Sequence, residues 1–210
     1  MIRGTTLAVG LLVFVAPTLA EYEYALDDGV STSTAGPSQF SAEMLWGNYF
    51  DVEPGYETIT SISVSLAGDV PLGRAITLTV LDDPDNDLDP TNAVPVATKT
   101  GLTVSAAPNE FITFDIPDTV VSGGFFVTAA MYLAQGEHAP RLDWDSQPGR
   151  SWVFFDDEIN YYNLGGSPLY YNMASSPFNG TWLLRAQAVP EPGTALSMFT
   201  VLMLALTRRR

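Results

Sequence analysis

The chain has 210 residues, enough for one ordinary domain with a core of its own. It is 46% hydrophobic and 11% aromatic but only 16% charged, which argues against an unfolded chain, and its 17 glycines and 15 prolines ask for many turns. The formal charge of −15 argues against nucleic acid as a partner, because that affinity comes from Lys and Arg displacing counterions; the lack of cysteine excludes a disulfide framework, a thiolate nucleophile and a Cys-ligated zinc.

At the N-terminus Arg3 supplies a positive charge, Thr6 to Val15 is almost unbroken apolar sequence, and Thr18 and Ala20 place small residues at the −3 and −1 positions of a cleavage site. This is the layout of a secretory signal peptide. Residues 1–20 are expected to be removed by signal peptidase after Ala20. The stretch from 21 to 189 carries five basic side chains against 23 acidic ones, a formal charge of −18.

From 21 to 188 the hydrophobic period is two. Ile62, Val64 and Leu66 alternate with serines, Ile76, Leu78 and Val80 with threonines, and Ile112, Phe114 and Ile116 with Thr113 and Asp115. Each such run predicts a strand with one buried and one wet face. Further strands are expected at 22–26, 46–52, 96–104, 125–133, 141–144, 151–155 and 181–188, about ten in all. Gly68-Asp69, Gly123-Gly124, Gly165-Gly166 and Asn179-Gly180 fall between them as turns. The pattern predicts an all-β fold, an antiparallel β-sandwich or jelly roll, over residues 21–188.

Between two of these strands, Asp82-Asp83-Pro84-Asp85-Asn86-Asp87-Leu88-Asp89 crowds its carboxylates together. Asp83, Asp85, Asp87 and Asp89 alternate and are candidate ligands for Ca²⁺, a hard cation that takes six to eight oxygens. The loop is not an EF-hand: counted from Asp83, the required Gly is Leu88 and the closing Glu is Val94. A solvated hairpin tip is the other reading of the same acids. A second acidic group, Asp156-Asp157-Glu158, follows the strand at 151–155, and Asp143 and Asp145 flank Trp144. Aromatic side chains cluster beyond it, and Tyr161-Tyr162-Asn163 recurs as Tyr170-Tyr171-Asn172, consistent with a hairpin or loop that carries paired tyrosines. Tyr161, Tyr162, Tyr170 and Tyr171 are candidates for stacking on sugar rings, set against the ordinary role of aromatics as core. His138 is the only histidine and lies in a turn-like stretch; no nucleophile elbow or phosphate-binding loop is present, so no catalytic residue is singled out.

The chain ends VPEPGTALSMFTVLMLALTRRR. Pro190 and Pro192 hold the chain extended around Glu191. The twelve apolar residues that start at Ala195 would form about 18 Å of helix at ~1.5 Å per residue, short for a hydrocarbon core of ~30 Å. Arg208, Arg209 and Arg210 would then stay on the cytoplasmic side, with the preceding domain outside. A Pro-Glu-Pro motif, a short transmembrane helix and an Arg-rich end together resemble the PEP-CTERM sorting signal of bacteria. That resemblance covers 189–210 and implies cleavage by an exosortase, transient membrane anchoring, and delivery to the cell surface or an exopolysaccharide matrix. A Pro-rich linker before a plain tail anchor is the alternative. The middle region is also similar to β-sandwich domains found ahead of such tails, through Asp27-Asp28-Gly29, TSISVSL, TLTVLDD, FDIP and GGFFVTAAM.

Together these features predict a secreted, surface- or matrix-associated protein that acts by adhesion or exopolysaccharide-associated binding and not as an enzyme. The alternatives are a calcium-dependent carbohydrate-binding module, with extracellular polysaccharide as partner, and a polysaccharide-active hydrolase built on two facing carboxylates.

Overall fold

The computed structural model describes residues 20–190 except 69, 105, 106, 108, 147 and 176–178. The expected export segment up to residue 19 and the sorting residues Glu191, Pro192, Arg208, Arg209 and Arg210 lie outside the described residues. Among those described, no helix is long and apolar enough to cross a membrane.

The described chain is all-β and antiparallel. In order its strands are β1 (Tyr22–Tyr24), β2 (Ser33–Thr34), β3 (Ala42–Asp51), β4 (Thr58–Val64), β5 (Ala75–Asp83), β6 (Val94–Leu102), β7 (Ile112–Val120), β8 (Gly124–Leu133), β9 (Arg141–Asp143), β10 (Ser151–Asp156), β11 (Leu169–Asn172), β12 (Thr181–Trp182) and β13 (Leu184–Val189). They form a four-stranded sheet in the order β1-β13-β4-β7 and a six-stranded sheet in the order β11-β10-β3-β8-β5-β6. A small third sheet is ordered β12-β9-β2.

The two larger sheets face each other across one core, a β-sandwich-like arrangement. Ile59, Ile62, Leu184 and Ala186 from the first meet Met44, Trp46, Leu78, Val80, Phe125 and Val127 from the second. Asn48, fully buried on β3, ties the layers together: its amide nitrogen donates to the carbonyls of Trp182 (2.8 Å) and Leu184 (2.9 Å), while its Oδ1 accepts from Ser151 (2.7 Å). Every polar atom of that side chain is used, which makes its burial tolerable.

Two expectations need correction. The runs that alternate do not all wet their polar face. On β4, Ser61 and Ser63 are buried, with hydroxyls bonded to Gln187 and Thr113 of the flanking strands. The six-stranded sheet also has a second apolar layer on its outer side, where Leu45, Tyr49, Leu81, Phe126 and Phe154 are covered by Ile159 and Leu164 of the long segment between β10 and β11. Central strands buried on both faces read as continuous apolar sequence, as β3 and β8 do. The Tyr-Tyr-Asn copies do not pair with each other: the second is β11, whose partner is β10, and the first is part of the covering segment.

Strand direction gives the body two distinct ends. At the proximal end the chain enters β1 and leaves β13, which are neighbours through Tyr22 and Ala188, so Ala20 and Pro190 lie on the same side. The end of β5 is also there: Val189 pairs with Thr58, Thr58 with Val120, and the Ser122–Gly124 turn contacts Asp82 and Asp83. The distal end carries the start of β3, the end of β10 and the start of β11.

Candidate metal centre

The connection from β5 to β6 is a tight turn followed by a leg that packs against the body. Asp82, next to last in β5, ties the strand end to the β7–β8 turn by accepting from the Ser122 amide (3.2 Å). Asn86, in the left-handed region at φ 55°, aims its carboxamide oxygen at the Gly124 amide. Gly123 has φ 95°, and a Cβ there would collide with the Asn86 side chain, so glycine is required on both grounds.

This turn brings three of the four expected acids together. Asp83, Asp85 and Asp87 each offer a carboxylate oxygen, all within 4.8 Å of one another. Oxygens on opposite sides of a bound Ca²⁺ stand about 5 Å apart, so the spread suits that ion. Asp89 turns away and accepts from the Thr91 amide (2.9 Å), while Asp87 accepts from the Asp89 amide (2.8 Å). Asn92, which the sequence does not mark out, donates to Asp85 Oδ2 (2.8 Å) and holds that carboxylate in place. Leu88 stands where an EF-hand loop has its glycine, and it takes the same left-handed conformation, φ 67°.

Asp83 sets this cluster apart from an ordinary acidic tip. Asp85 and Asp87 are exposed, but Asp83 is fully buried. Its Oδ2 accepts from the Leu88 amide (3.2 Å), and its Oδ1 is buried with no partner. Burial first, and the neighbouring Asp85 next, push its carboxyl up to about 6, against the Leu88 amide, which acts to lower it. A buried carboxylate with an unused oxygen facing two others is unfavourable as it stands, and a divalent cation is the kind of partner that would relieve it.

The tyrosines separate. Tyr161 is packed against the outer apolar layer, and burial raises its hydroxyl pKa above the ordinary value. Tyr162 is 83% exposed. Tyr170 stacks on Phe154 at 5.3 Å and 15°, and Phe154 on Trp152 at 6.4 Å and 20°, a ladder of rings on the outer face. Tyr171, next along β11, points to the opposite face. The Leu164–Gly166 turn in the covering segment adjoins the β5–β6 loop: a Cβ on Gly165 would sit 3.2 Å from Thr91, and Ala93 shares the outer layer with Leu164. Of the remaining acids, Asp143 is buried with both oxygens engaged by the amides of Asp28 and Asp145.

No family model matches this chain, and no curated protein does.

Proposed function

We propose that this chain is a secreted, surface- or matrix-associated binding protein, processed at both ends, whose β-sandwich body takes up Ca²⁺ at the β5–β6 loop. The observation that carries the calcium reading is the buried, unpartnered Oδ1 of Asp83, convergent with Asp85 and Asp87. Calcium is drawn from Asp83, Asp85 and Asp87, with water completing the shell, and Asp89 acts on the backbone of its own loop instead. Export rests on the Arg3 to Ala20 pattern, and sorting by an exosortase-type enzyme on Pro190, Glu191, Pro192 and the terminal arginines. The proximity of Ala20 and Pro190 supports that reading, because both processing points then lie on the membrane-facing side. A jelly-roll assignment goes with it, supported by the central pairing of β3 with β8 and the long connections between sheets.

Calorimetry and thermal unfolding with Ca²⁺ test the metal. At a hundredfold excess over Kd, one site that binds only the folded form adds about 2.7 kcal/mol, a rise in Tm of roughly 5 to 10 °C for a body this size. Asp83→Asn should abolish the rise. A wild-type Tm unmoved by millimolar Ca²⁺ would end the calcium reading. Sorting is tested separately by mass spectrometry of the surface fraction, where retention of Arg210 would count against processing.

The second reading is a calcium-dependent carbohydrate-binding module, favoured by the contact between the metal loop and the segment that bears Tyr161 and the exposed Tyr162. It predicts saturable polysaccharide binding that disappears with chelator and with Tyr162→Ala.

A further inference from the structure

A cleft of about 340 Å³ opens at the distal end, away from the metal loop. Phe40, Phe155, Pro168 and Leu169 provide its apolar walls, and Asp156 and Asp157 line it with carboxylates. The two phenyl rings meet at 5.7 Å and 82°, and Phe40 remains 42% exposed despite its size. Large rings kept open to solvent beside a concavity mark a place where something else is covered.

Charge indicates what. Asp156 Oδ1 accepts from the Asp157 amide (2.7 Å), and among the described residues no cation pairs with either carboxylate. The described arginines are engaged elsewhere: Arg74 with Glu137, Arg150 with Asp51, Arg185 with Glu23 and Asp27, and Arg141 with the Leu66 carbonyl. Lys99 is on β6, at the opposite edge of the six-stranded sheet. Uncompensated carboxylates on apolar ground attract a cation through Coulomb energy and through the field of a strongly acidic body; an anionic ligand is repelled, and a neutral one gains nothing from that field. Aromatic rings add their own attraction for a cation within about 6 Å.

We propose that this cleft binds an alkylammonium group, with its apolar stem against Phe40, Phe155 and Leu169 and its ammonium on Asp156 and Asp157. The inference is independent of calcium, since no residue of the metal loop takes part. A free diamine and a lysyl side chain share this chemistry.

Calorimetry on the full chain at low ionic strength, with cadaverine and its neutral counterpart 1,5-pentanediol, tests it. Cadaverine should bind at least about tenfold more tightly than the diol, a preference that the Asp156→Asn/Asp157→Asn double variant removes. Phe40→Ala should weaken both ligands several-fold. Nα-acetyl-lysine methylamide equal to cadaverine assigns the site to protein side chains, and a clear preference for cadaverine assigns it to free diamines. Equal affinity for diamine and diol, no saturable heat, or a preference that survives in the double variant would overturn the proposal.

Discussion

Three aspartates are buried among the described residues, and two of them, Asp27 and Asp83, have opposite company. Asp27 accepts from the Gly29 amide (2.9 Å) and from Arg185 Nη2 (2.6 Å), and Arg185 reaches Glu23 as well and lies 4.4 Å from the Phe111 ring centroid. Burial acts to lower the pKa of Arg185, but Asp27 and Glu23 together hold it above the ordinary value. Asp83 is just as buried, yet the charged groups gathered against it, Asp85 and Asp87, carry its own sign. One site carries its cation in the sequence; the other has none among the described residues. The same side chain is thus a structural clasp in one region and an uncompensated charge in the other, and the difference lies in the partner, not in the burial.

Substitution should therefore act with opposite sign at the two positions. Asp27→Ala leaves a buried guanidinium with only Glu23 beside it, and should cost about 3 to 4 kcal/mol in denaturant unfolding. A loss below about 1 kcal/mol would show that the clasp holds little. Asp83→Asn in chelator removes an unpaired charge and keeps an acceptor for the Leu88 amide, so it should stabilise the metal-free protein at neutral pH by up to about 3 kcal/mol. Destabilisation there would erase the contrast.

The pH dependence sharpens it. Because the Asp83 carboxyl titrates near 6 when folded, above its ordinary 3.8, the native metal-free form holds more protons across that interval. Its contribution is fully present below about pH 4 and is lost as pH rises through about 6. Melting curves in chelator should fall over this range, and Asp83→Asn should flatten the fall. The smallest effect belongs to Leu88, whose left-handed φ is strained for a branched side chain: Leu88→Gly should add about 1 kcal/mol and tighten Ca²⁺ a few-fold.

The strands were legible wherever one face is wet, as in Ile112 to Ile116, because alternation records a single buried side. They were less so in β3 and β8, where the segment after β10 covers the outer face and removes the polar half of the pattern. The crowding of acids in the β5–β6 loop is plain in the sequence, but their convergence is not. It depends on Asn86 reaching Gly124 and on Asn92 holding Asp85, contacts that no local spacing encodes. Asp89 left the expected set for a local reason, since its carboxylate satisfies its own turn. Asp27 and Arg185 are 158 positions apart and meet only through the pairing of β1 with β13. The distal cleft likewise joins Phe40 to Phe155 across strands and has no linear signature.

The separation of the chain ends from the cleft bears on how this body would carry load. A pull applied after Val189 and resisted at the start of β3 runs along the strands, over about 30 Å at ~3.3 Å per residue of the ten-residue β3. Because β13 and β3 belong to different sheets, tension between them passes through the packed core and the Asn48 link between the layers and not through any one ladder.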